Sequence, residues 1–280
     1  HEAIPLTGSI ISGSYIDTTV PPNPTNLKSY SHGMFQTVYD YNYLSSSANH
    51  VFDVTCGISA QSGLAIGASG MQSKKNNIYG QMAQILMGYD LTGSVQLFDE
   101  DGDLLAGGEK MKEVFVLPFS RLLVKDEIKK ETFSMKVDVT DYTAAAQPMA
   151  AGDLITIADL GASNEYRVNS PAGEYGILYA AQNNSLLDIA GNAIHASGSD
   201  HLRCGLIFYQ AGIIVLTGSV FGTHLTNPLE TTAGLYDFNA NGALQTALAD
   251  EAIDDINTSL LHRIENVQFN NTTELNSTVY

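Results

Sequence analysis

The longest apolar run of the chain spans residues 204–221, and its pattern predicts the centre of the fold. The run is rich in Ile, Val, Leu, Phe and Tyr, which are typical of strands. Residues 206–209 and 213–216 are apolar at successive positions, as expected for strands buried on both faces. Residues 210–212 end in Gly212, which can take a positive φ in a tight hairpin. We therefore expect two central strands, because the glutamine and the glycines inside the run disfavour a membrane helix.

Further strands are predicted where apolar and polar residues alternate, or where short apolar segments lie between turn residues. Alternation is clear over residues 49–58 and again over residues 132–139. Four shorter segments are separated by Gly, Asn, Ser and Pro, and they cover residues 154–158, 165–169, 176–181 and 186–189. Such regular spacing favours a β-sandwich or an open barrel.

Two further segments carry signals for where strands end. Pro118 lies inside the apolar segment 114–119, and because proline has no N–H to donate, we expect an edge strand or a bulge there. An Asp-Gly pair at residues 101–102 lies between the apolar segments 95–98 and 104–105. This arrangement predicts a tight hairpin.

Two amphipathic helices are predicted from apolar residues spaced three and four apart. The first spans residues 76–88 and ends at Gly88, and its apolar face consists of Ile78, Met82, Ile85, Leu86 and Tyr89. The second spans residues 240–263, and its apolar stripe consists of Leu244, Leu248, Ile253, Ile256, Leu260 and Ile264. The acidic residues at 250–255 are interpreted as the solvated face of this helix and not as a metal site.

The fold class predicted from these elements is mainly β, with a β-sandwich or open-barrel core, two amphipathic helices and extended arms. The predicted divisions are an extended N-terminal arm (1–45), a strand, Gly/Ser loop and helix (46–90), a β-rich core domain (91–222), and a helix with a C-terminal strand-like segment (223–280). The chain starts without methionine and ends in that strand-like segment. We therefore expect residues to have been trimmed or left out at both ends.

The first 44 residues are rich in Pro, Ser and Tyr and are expected to run over a surface. Four tyrosines in this part of the chain, Tyr30, Tyr39, Tyr41 and Tyr43, allow two interpretations. They can pack against the chain's own core, or they can dock onto a neighbouring protein, since tyrosine buries a large area at low entropic cost. Both interpretations stay open at this point.

Composition and charge narrow the class of partner. The chain has 13 Lys and Arg against 30 Asp and Glu, a net charge of −17. Neutralising the phosphates of a nucleic acid needs clustered Lys and Arg, so we expect no nucleic-acid partner. The basic stretch at 125–130 is interleaved with acidic residues and is predicted to be a strand edge or a turn. Only 15% of the residues are charged, which favours extracellular or assembly proteins. Cys56 and Cys204 lie among small and aliphatic residues and are predicted to be buried free thiols.

No local sequence pattern of catalytic chemistry occurs in the chain. It has neither a phosphate-binding loop nor a Gly-x-Ser-x-Gly nucleophile elbow, and its seven histidines are scattered. The acidic segment 99–103 resembles a calcium loop, but Leu104 stands at the sixth position, where glycine is needed, and Lys110 at the twelfth, where glutamate is needed. A weak surface Ca²⁺ site is the remaining alternative. We predict no catalytic, cofactor-binding or metal-binding residues, no cofactor and no enzymatic activity.

Several stretches together resemble virion structural proteins of contractile-tailed marine and cyanobacterial phages. They are YGQMAQILMGYD at 79–90 with the acidic turn after it, PFSRLLVKDEIKK at 118–130, NSPAGEYGILY at 169–179, FYQAG at 208–212 and NNTTELNSTVY at 270–280. The resemblance covers about residues 75–280 and carries no catalytic motif. It implies a baseplate or tail component first, a neck component second and a capsid decoration third. It also implies a virion location after assembly in the host cytoplasm.

Two hypotheses about function follow. The first is a structural subunit of a phage virion, with copies of itself and other virion proteins as partners and with no nucleic-acid or membrane partner. It predicts that residues 1–44 and 267–280 pack poorly on their own chain and bury area on neighbours. The second is a β-sandwich receptor- or carbohydrate-binding module of a phage tail, disfavoured because the chain contains no tryptophan. A hydrolase ranks third, because no nucleophile–base pair stands at a recognisable spacing.

Overall fold

The structure is a computed structural model in which six stretches of the chain are described. They are residues 26–62, 70–104, 110–138, 154–182, 203–218 and 252–272. The elements follow in chain order as β1 (Leu27–Ser29), β2 (Gln36–Tyr39), β3 (His50–Ile58), α1 (Gly70–Leu86), β4 (Phe98–Asp99), β5 (Lys110–Met111), β6 (Glu113–Pro118), α2 (Arg121–Val124), β7 (Glu127–Ile128), β8 (Ser134–Asp138), β9 (Leu154–Ala158), α3 (Ala162–Glu165), β10 (Arg167–Ser170), β11 (Gly173–Gln182), β12 (Arg203–Phe208), β13 (Ile213–Thr217), α4 (Ile253–Arg263), β14 (Ile264–Gln268) and β15 (Asn271–Thr272).

Eleven of these strands form one antiparallel sheet. Its order is β1-β2-β3-β6-β13-β12-β11-β9-β8-β14, and β10 pairs with β11 beside this path. Two small sheets, β4-β5 and β7-β15, complete the described strands. The first and last strands of the order do not pair with each other, so the described part of the sheet is open. The predicted fold class, mainly β, is confirmed.

The central apolar run forms the hairpin that its pattern predicts. β12 pairs with β13 in the middle of the sheet, and the strands are joined after Phe208 opposite Ile213. Gly212 closes the connection with φ 66°, and its N–H donates to the Phe208 carbonyl at 2.8 Å. Successive residues of both strands are buried, which confirms that each strand packs on two faces.

Each face of the central strands belongs to a different core. The inner core contains Phe115, Leu117, Ile207, Ile214 and Leu216 from β6, β12 and β13. The outer core contains the residues that alternate with them, including Val114, Val116, Leu206, Phe208 and Val215. Side chains of neighbouring residues point to opposite sides of a strand, so a continuous apolar run supplies both cores at once.

α4 fills the space between the two outer parts of the sheet. Its buried residues, including Ile253, Ile256 and Leu260, share the inner core with residues of β1–β3 and of β8, β9 and β14. The Asn257 side-chain amide donates to the Val54 carbonyl of β3 at 3.0 Å, and the helix passes directly into β14. Elements from both ends of the strand order therefore pack on the same helix. Ile264 belongs to β14 and not to the helical stripe, while positions 244 and 248 lie outside the described residues.

α1 covers the outer core and confirms the first predicted helix, although its buried face differs from the predicted one. Tyr79 and Ala83 are buried, whereas Ile85 is 61% exposed. The helix approaches β3 at Gly57, where an added Cβ would lie 2.9 Å from the Tyr79 backbone nitrogen. Because only a glycine allows this contact, the helix turns Tyr79 towards the sheet and Ile85 away from it. Gly88, with φ 80°, ends the helix as predicted, and its N–H donates to the Ala83 carbonyl.

Three other predictions need correction. β6 lies between β3 and β13 and is not an edge strand, because Pro118 occupies only its last position. The Asp-Gly pair does not form a tight hairpin, since Phe98–Asp99 pairs with Lys110–Met111 and the acidic residues lie in the loop between these strands. Part of the predicted N-terminal arm, from Asn26 to Tyr39, forms a hairpin at one end of the main sheet. Apolar residues there, such as Leu27 and Val38, are buried in the inner core.

The predicted C-terminal strand-like segment is confirmed up to residue 272. β14 pairs with β8, and β15 pairs with β7. Val267, Phe269 and Asn271 are buried, so this part packs on its own chain. The strands predicted at 154–158, 165–169 and 176–181 correspond to β9, β10 and β11, while the segment predicted at 186–189 lies outside the described residues.

Candidate functional site

Several connections of the fold meet at one end of the sheet. β3 and β13 begin there and β6 ends there, held together by hydrogen bonds from the Ser120 N–H to the Val51 carbonyl and from the Phe119 N–H to the Gly212 carbonyl. The β12–β13 turn joins them, because the Arg121 guanidinium of α2 donates to the Gln210 carbonyl at 2.6 Å. We call this side, with the β2–β3 loop, α2 and the β10–β11 and β12–β13 turns, the turn end.

The last turn of α1 also reaches the turn end. The Ser170 hydroxyl, at the β10–β11 turn, donates to the Leu86 carbonyl. Pro171 of the same turn lies 3.4 Å from the position that a Cβ on Gly88 would occupy. The β10–β11 turn is itself tied to the β12–β13 turn, since the Glu174 N–H donates to the Gln210 side-chain oxygen at 3.4 Å.

Large apolar side chains are exposed at the turn end. The described residues expose eleven large apolar side chains, and seven of these lie in the loops of the turn end, in α2 or in the last turn of α1. Their exposed fractions are Tyr41 64%, Tyr43 36%, Leu44 79%, Ile85 61%, Tyr89 58%, Leu91 108% and Leu122 68%. Single exposed apolar residues are normal on any protein, but a concentration on one side marks a candidate contact surface. The turn end is therefore the candidate functional site of the described chain.

The loops that carry these side chains are held by local polar contacts. In the β2–β3 loop, the Asp40 carboxylate accepts from the Asn49 backbone N–H at 2.6 Å, and the Leu44 N–H donates to the Asn42 side chain at 3.0 Å. After α1, the Asp90 carboxylate accepts from the Thr92 hydroxyl at 2.6 Å and from the Ser94 N–H at 2.9 Å. These bonds lower the pKa of Asp90. Leu91 and Tyr89 are thus presented on an ordered turn.

The four N-terminal tyrosines separate into the two roles that the sequence leaves open. The Tyr30 ring stacks on His32 at 5.2 Å between centroids, and its hydroxyl lies 3.2 Å from that of Thr37. Tyr39 belongs to β2 and contacts the Tyr43 ring at 6.4 Å. Tyr41, by contrast, is mostly exposed. Tyr30 and Tyr39 therefore pack on the chain's own sheet, and a docking role stays open for Tyr41 and Tyr43.

The acidic loop follows β4 and lies over the outer core, to which Phe98 and Met111 belong. Asp99 is fully buried, Asp101 is half-buried and Asp103 is exposed. The Lys110 ammonium contacts the Asp99 Oδ2 at 2.7 Å. Burial raises the pKa of Asp99, and the contact with Lys110 opposes that rise.

Both predicted free thiols are confirmed as buried and unbridged. Burial raises the pKa of Cys56 to about 12 and raises that of Cys204 well above its ordinary value. The Cys204 thiol donates to the Leu178 carbonyl at 3.3 Å. Neither thiol is in a position to act as a nucleophile, because a reactive cysteine needs a lowered pKa and access to solvent.

A buried carboxylate that sequence reasoning missed is Asp159, directly after β9. It is 1% exposed and accepts hydrogen bonds from the Glu131 N–H at 2.8 Å, the Phe133 N–H at 3.1 Å and the Tyr209 hydroxyl at 3.1 Å. Burial raises its pKa to about 7. Burial and the adjacent Asp159 also raise the pKa of Tyr209. The contacts join β9, the start of β8 and the end of β12, which identifies a structural connection and not a reaction centre.

The basic stretch 125–130 forms turns and the short strand β7, as predicted. Lys130 contacts the Glu174 carboxylate at 2.5 Å and lies over the Tyr166 ring at 4.7 Å. Among the described histidines, His50 contacts Asp53 at 3.1 Å and His32 stacks on Tyr30. Neither His32 nor His50 belongs to a group of potential metal ligands among the described residues.

Comparison of the chain with family models, with curated proteins and with solved structures finds no match. In the part of the chain that the structure describes, no helix combines the length and the apolar character needed to cross a membrane.

Proposed function

We propose that the chain is a structural subunit of a contractile-tailed phage virion, placed in the tail or baseplate or in the neck. It assembles with copies of itself and with other virion proteins, and no nucleic acid or membrane takes part in these contacts. The observation that carries the assembly role is the set of seven exposed apolar side chains at the turn end. The place in a virion rests on the resemblance of residues 75–280 to proteins of such particles.

The described structure changes which part of the chain is assigned to neighbours. Residues 26–39 contain β1 and β2, and residues 264–272 contain β14 and β15, so these two stretches belong to the chain's own sheets and are not free arms. The contacts are assigned instead to the β2–β3 loop and to the end of α1. Loops that are already ordered lose little entropy on binding, and tyrosine and leucine supply large contact area at that low cost.

Two measurements test this function, and the first concerns the particle. Contractile-tailed particles from the source of the sequence are purified, their proteins are identified by mass spectrometry, and the subunit is located by cryo-electron microscopy. We expect the chain to form a ring with the rotational symmetry of the tail or neck, and its turn end to lie against another subunit. Absence of the chain from the particles contradicts the proposal.

The second measurement concerns the surface. Leu91→Asp places a charge at the most exposed apolar residue of the turn end, and Ala60→Asp adds the same charge at an exposed position after β3, at the opposite end of the sheet. We expect Leu91→Asp to weaken self-association or incorporation into particles by a factor of about 10 and Ala60→Asp to leave both unchanged, as read by light scattering and by particle composition. Equal behaviour of the two variants contradicts the assignment of the turn end.

A second candidate, a receptor- or carbohydrate-binding module of a phage tail, is supported by the exposed rings of Tyr41 and Tyr89. Aromatic faces at a loop end can stack on sugars. A glycan array at high protein concentration distinguishes the two functions. Saturable binding that Tyr41→Ser abolishes would favour the module, whereas a ring position inside the particle without glycan binding favours the subunit.

A further inference from the structure

Three carboxylates converge in the loop that follows β4. Asp99, Asp101 and Asp103 each offer an oxygen, and these oxygens all lie within 4.8 Å of one another. Ionised carboxylates at this spacing repel one another. A hydrogen bond between the Asp99 and Asp101 carboxyl groups relieves part of this repulsion, and a cation between the three groups would relieve more of it.

Asp99 has a hydrogen-bonding capacity that no described residue uses. The residue is fully buried, and its Oδ2 accepts from the Leu104 N–H at 2.8 Å and from the Lys110 ammonium at 2.7 Å. Its Oδ1 is also buried and accepts from no donor among the residues that the structure describes. A buried carboxylate oxygen without a partner is costly, so this atom identifies a place where a further positive group is missing.

The two cations that the described chain brings close to the loop do not fill that place. Lys110 is engaged with the other oxygen of Asp99, and the Arg203 guanidinium approaches Asp101 only to 3.9 Å. One Asp101 oxygen accepts from the Asp103 N–H at 3.2 Å, which fixes the direction of this carboxylate.

We propose that Asp99, Asp101 and Asp103 bind a Ca²⁺ ion, with Asp99 Oδ1 as the buried ligand. Calcium is a hard cation that prefers carboxylate, carbonyl and water oxygens and tolerates irregular geometry. Water completes its coordination on the exposed side, next to Asp103. This site is independent of the assembly role proposed above.

The loop adopts the backbone that alternate carboxylate ligands require, although its sequence departs from the calcium-loop pattern. Leu104 stands at the sixth position of that pattern, where glycine provides a left-handed turn, and it takes φ 61° here. Its N–H donates to Asp99, the first ligand. The missing glycine therefore does not exclude the site, because the leucine is held in the left-handed conformation that the glycine would adopt.

The other departure predicts weak binding. Lys110 stands at the twelfth position, where a glutamate would supply two more oxygens, so the ion loses these two ligands. We therefore expect a dissociation constant of about 10⁻⁴ to 10⁻³ M, the range of calcium sites in extracellular modules.

Terbium luminescence provides a direct test with the full chain. Tb³⁺ substitutes for Ca²⁺ and is excited through a nearby aromatic ring, and the Tyr175 hydroxyl donates to the Gly102 carbonyl of this loop at 3.2 Å. The chain has no tryptophan, so tyrosine alone sensitises the ion. We expect a saturable Tb³⁺ signal that Ca²⁺ displaces with a midpoint in the millimolar range or below and that Mg²⁺ displaces at least about tenfold less well.

Two variants and one control assign the signal to the loop. Asp101→Asn and Asp103→Asn each remove one charged ligand at a solvent-accessible position and are expected to weaken Ca²⁺ binding by about tenfold or more. Asp126→Asn removes an exposed carboxylate elsewhere and is expected to change nothing. Circular dichroism checks that all three variants are folded.

Three outcomes overturn the proposal. One is the lack of a saturable signal with up to about 10 mM Ca²⁺ in a calorimetric titration, a concentration well above the expected range. Another is equal binding by the two loop variants and by Asp126→Asn. The third is displacement of Tb³⁺ by Mg²⁺ as readily as by Ca²⁺, which contradicts the identity of the ion.

Discussion

The β12–β13 hairpin and the β4–β5 pair are both antiparallel, but different forces hold them. The hairpin has apolar side chains on both faces, and its residues are shared between the inner and outer cores. The β4–β5 pair has two residues in each strand and contains the buried contact between Asp99 and Lys110. Burial of apolar area fixes the register of the first, because a slip of one residue would exchange its faces. The charge pair of Asp99 and Lys110 fixes the register of the β4–β5 pair. The stability of that pair is therefore sensitive to single polar substitutions.

The largest decrease in the free energy of unfolding is expected for Gly205→Ala in the central hairpin. An added Cβ would lie 2.3 Å from the Val215 carbonyl oxygen of the paired strand, a backbone atom that cannot move without breaking the ladder. We expect the free energy of unfolding to fall by about 4 kcal/mol or more, measured by urea denaturation.

The matched control is Gly80→Ala in α1, where nothing lies within 4 Å of an added Cβ. Because alanine favours a helix, this change should stabilise the protein by about 0.5–1 kcal/mol. Similar small effects of both substitutions would show that the central strands are not packed as closely as the structure indicates.

The second predicted effect is the pH dependence of stability that arises from Asp159, a buried carboxylate that contacts Tyr209 in the central hairpin. The pKa of Asp159 is about 7 in the folded protein, against an ordinary value of 3.8. Its contribution to stability is therefore fully present below about pH 4 and is lost as the pH rises through 7, because the unfolded chain releases the proton first. The loss is about 4 kcal/mol, since each pKa unit corresponds to about 1.4 kcal/mol.

Asp159→Asn removes this titration, and the measurement is the difference in unfolding free energy between the two proteins at several pH values. We expect the wild-type protein to lose stability relative to the variant between about pH 4 and pH 7. Tyr209→Phe is the companion variant, since it removes one hydrogen bond but keeps the carboxylate. A difference between wild type and Asp159→Asn that stays constant with pH contradicts the raised pKa.

The third and smallest loss of stability is expected for a substitution in the β4–β5 pair. Asp99→Asn removes the negative charge next to Lys110, whose side chain is only 16% exposed, and retains an oxygen for the Leu104 N–H. We expect a destabilisation of about 2 kcal/mol in chemical denaturation without added calcium. Asp103→Asn, at an exposed position in the same loop, should change stability by less than about 0.5 kcal/mol. Comparable losses of unfolding free energy in both variants would show that the buried contact between Asp99 and Lys110 does not hold the β4–β5 pair.

These regions also show what the sequence can predict. Continuous apolar residues at 206–209 and 213–216 predict the central hairpin correctly, because apolar periodicity reports burial directly. The same signal finds β3, β8 and β9, but it places Ile85 on the buried face of α1. The actual face depends on the approach to Gly57, a contact between residues distant in sequence.

The candidate sites are harder to predict, for two physical reasons. The exposed side chains at the turn end come from separate loops and helix ends that the sheet brings to one side, and no local pattern marks Leu91 or Leu122 as part of such a surface. In the acidic loop, the lack of a glycine at the sixth position argues against a calcium site. Sequence alone does not show that Leu104 adopts a positive φ there. Asp159 gives no signal either, because its three donors come from separate elements.

The two buried thiols provide a kinetic probe of the fold. Cys56 lies in β3 and Cys204 in β12, three strand positions apart in the order β3-β6-β13-β12, and both side chains belong to the inner core. Alkylating reagents attack only the exposed thiolate, so each cysteine reacts only after its own strand has opened. Equal rates would indicate that both strands open together, and a faster reaction of one cysteine would identify the strand that opens first.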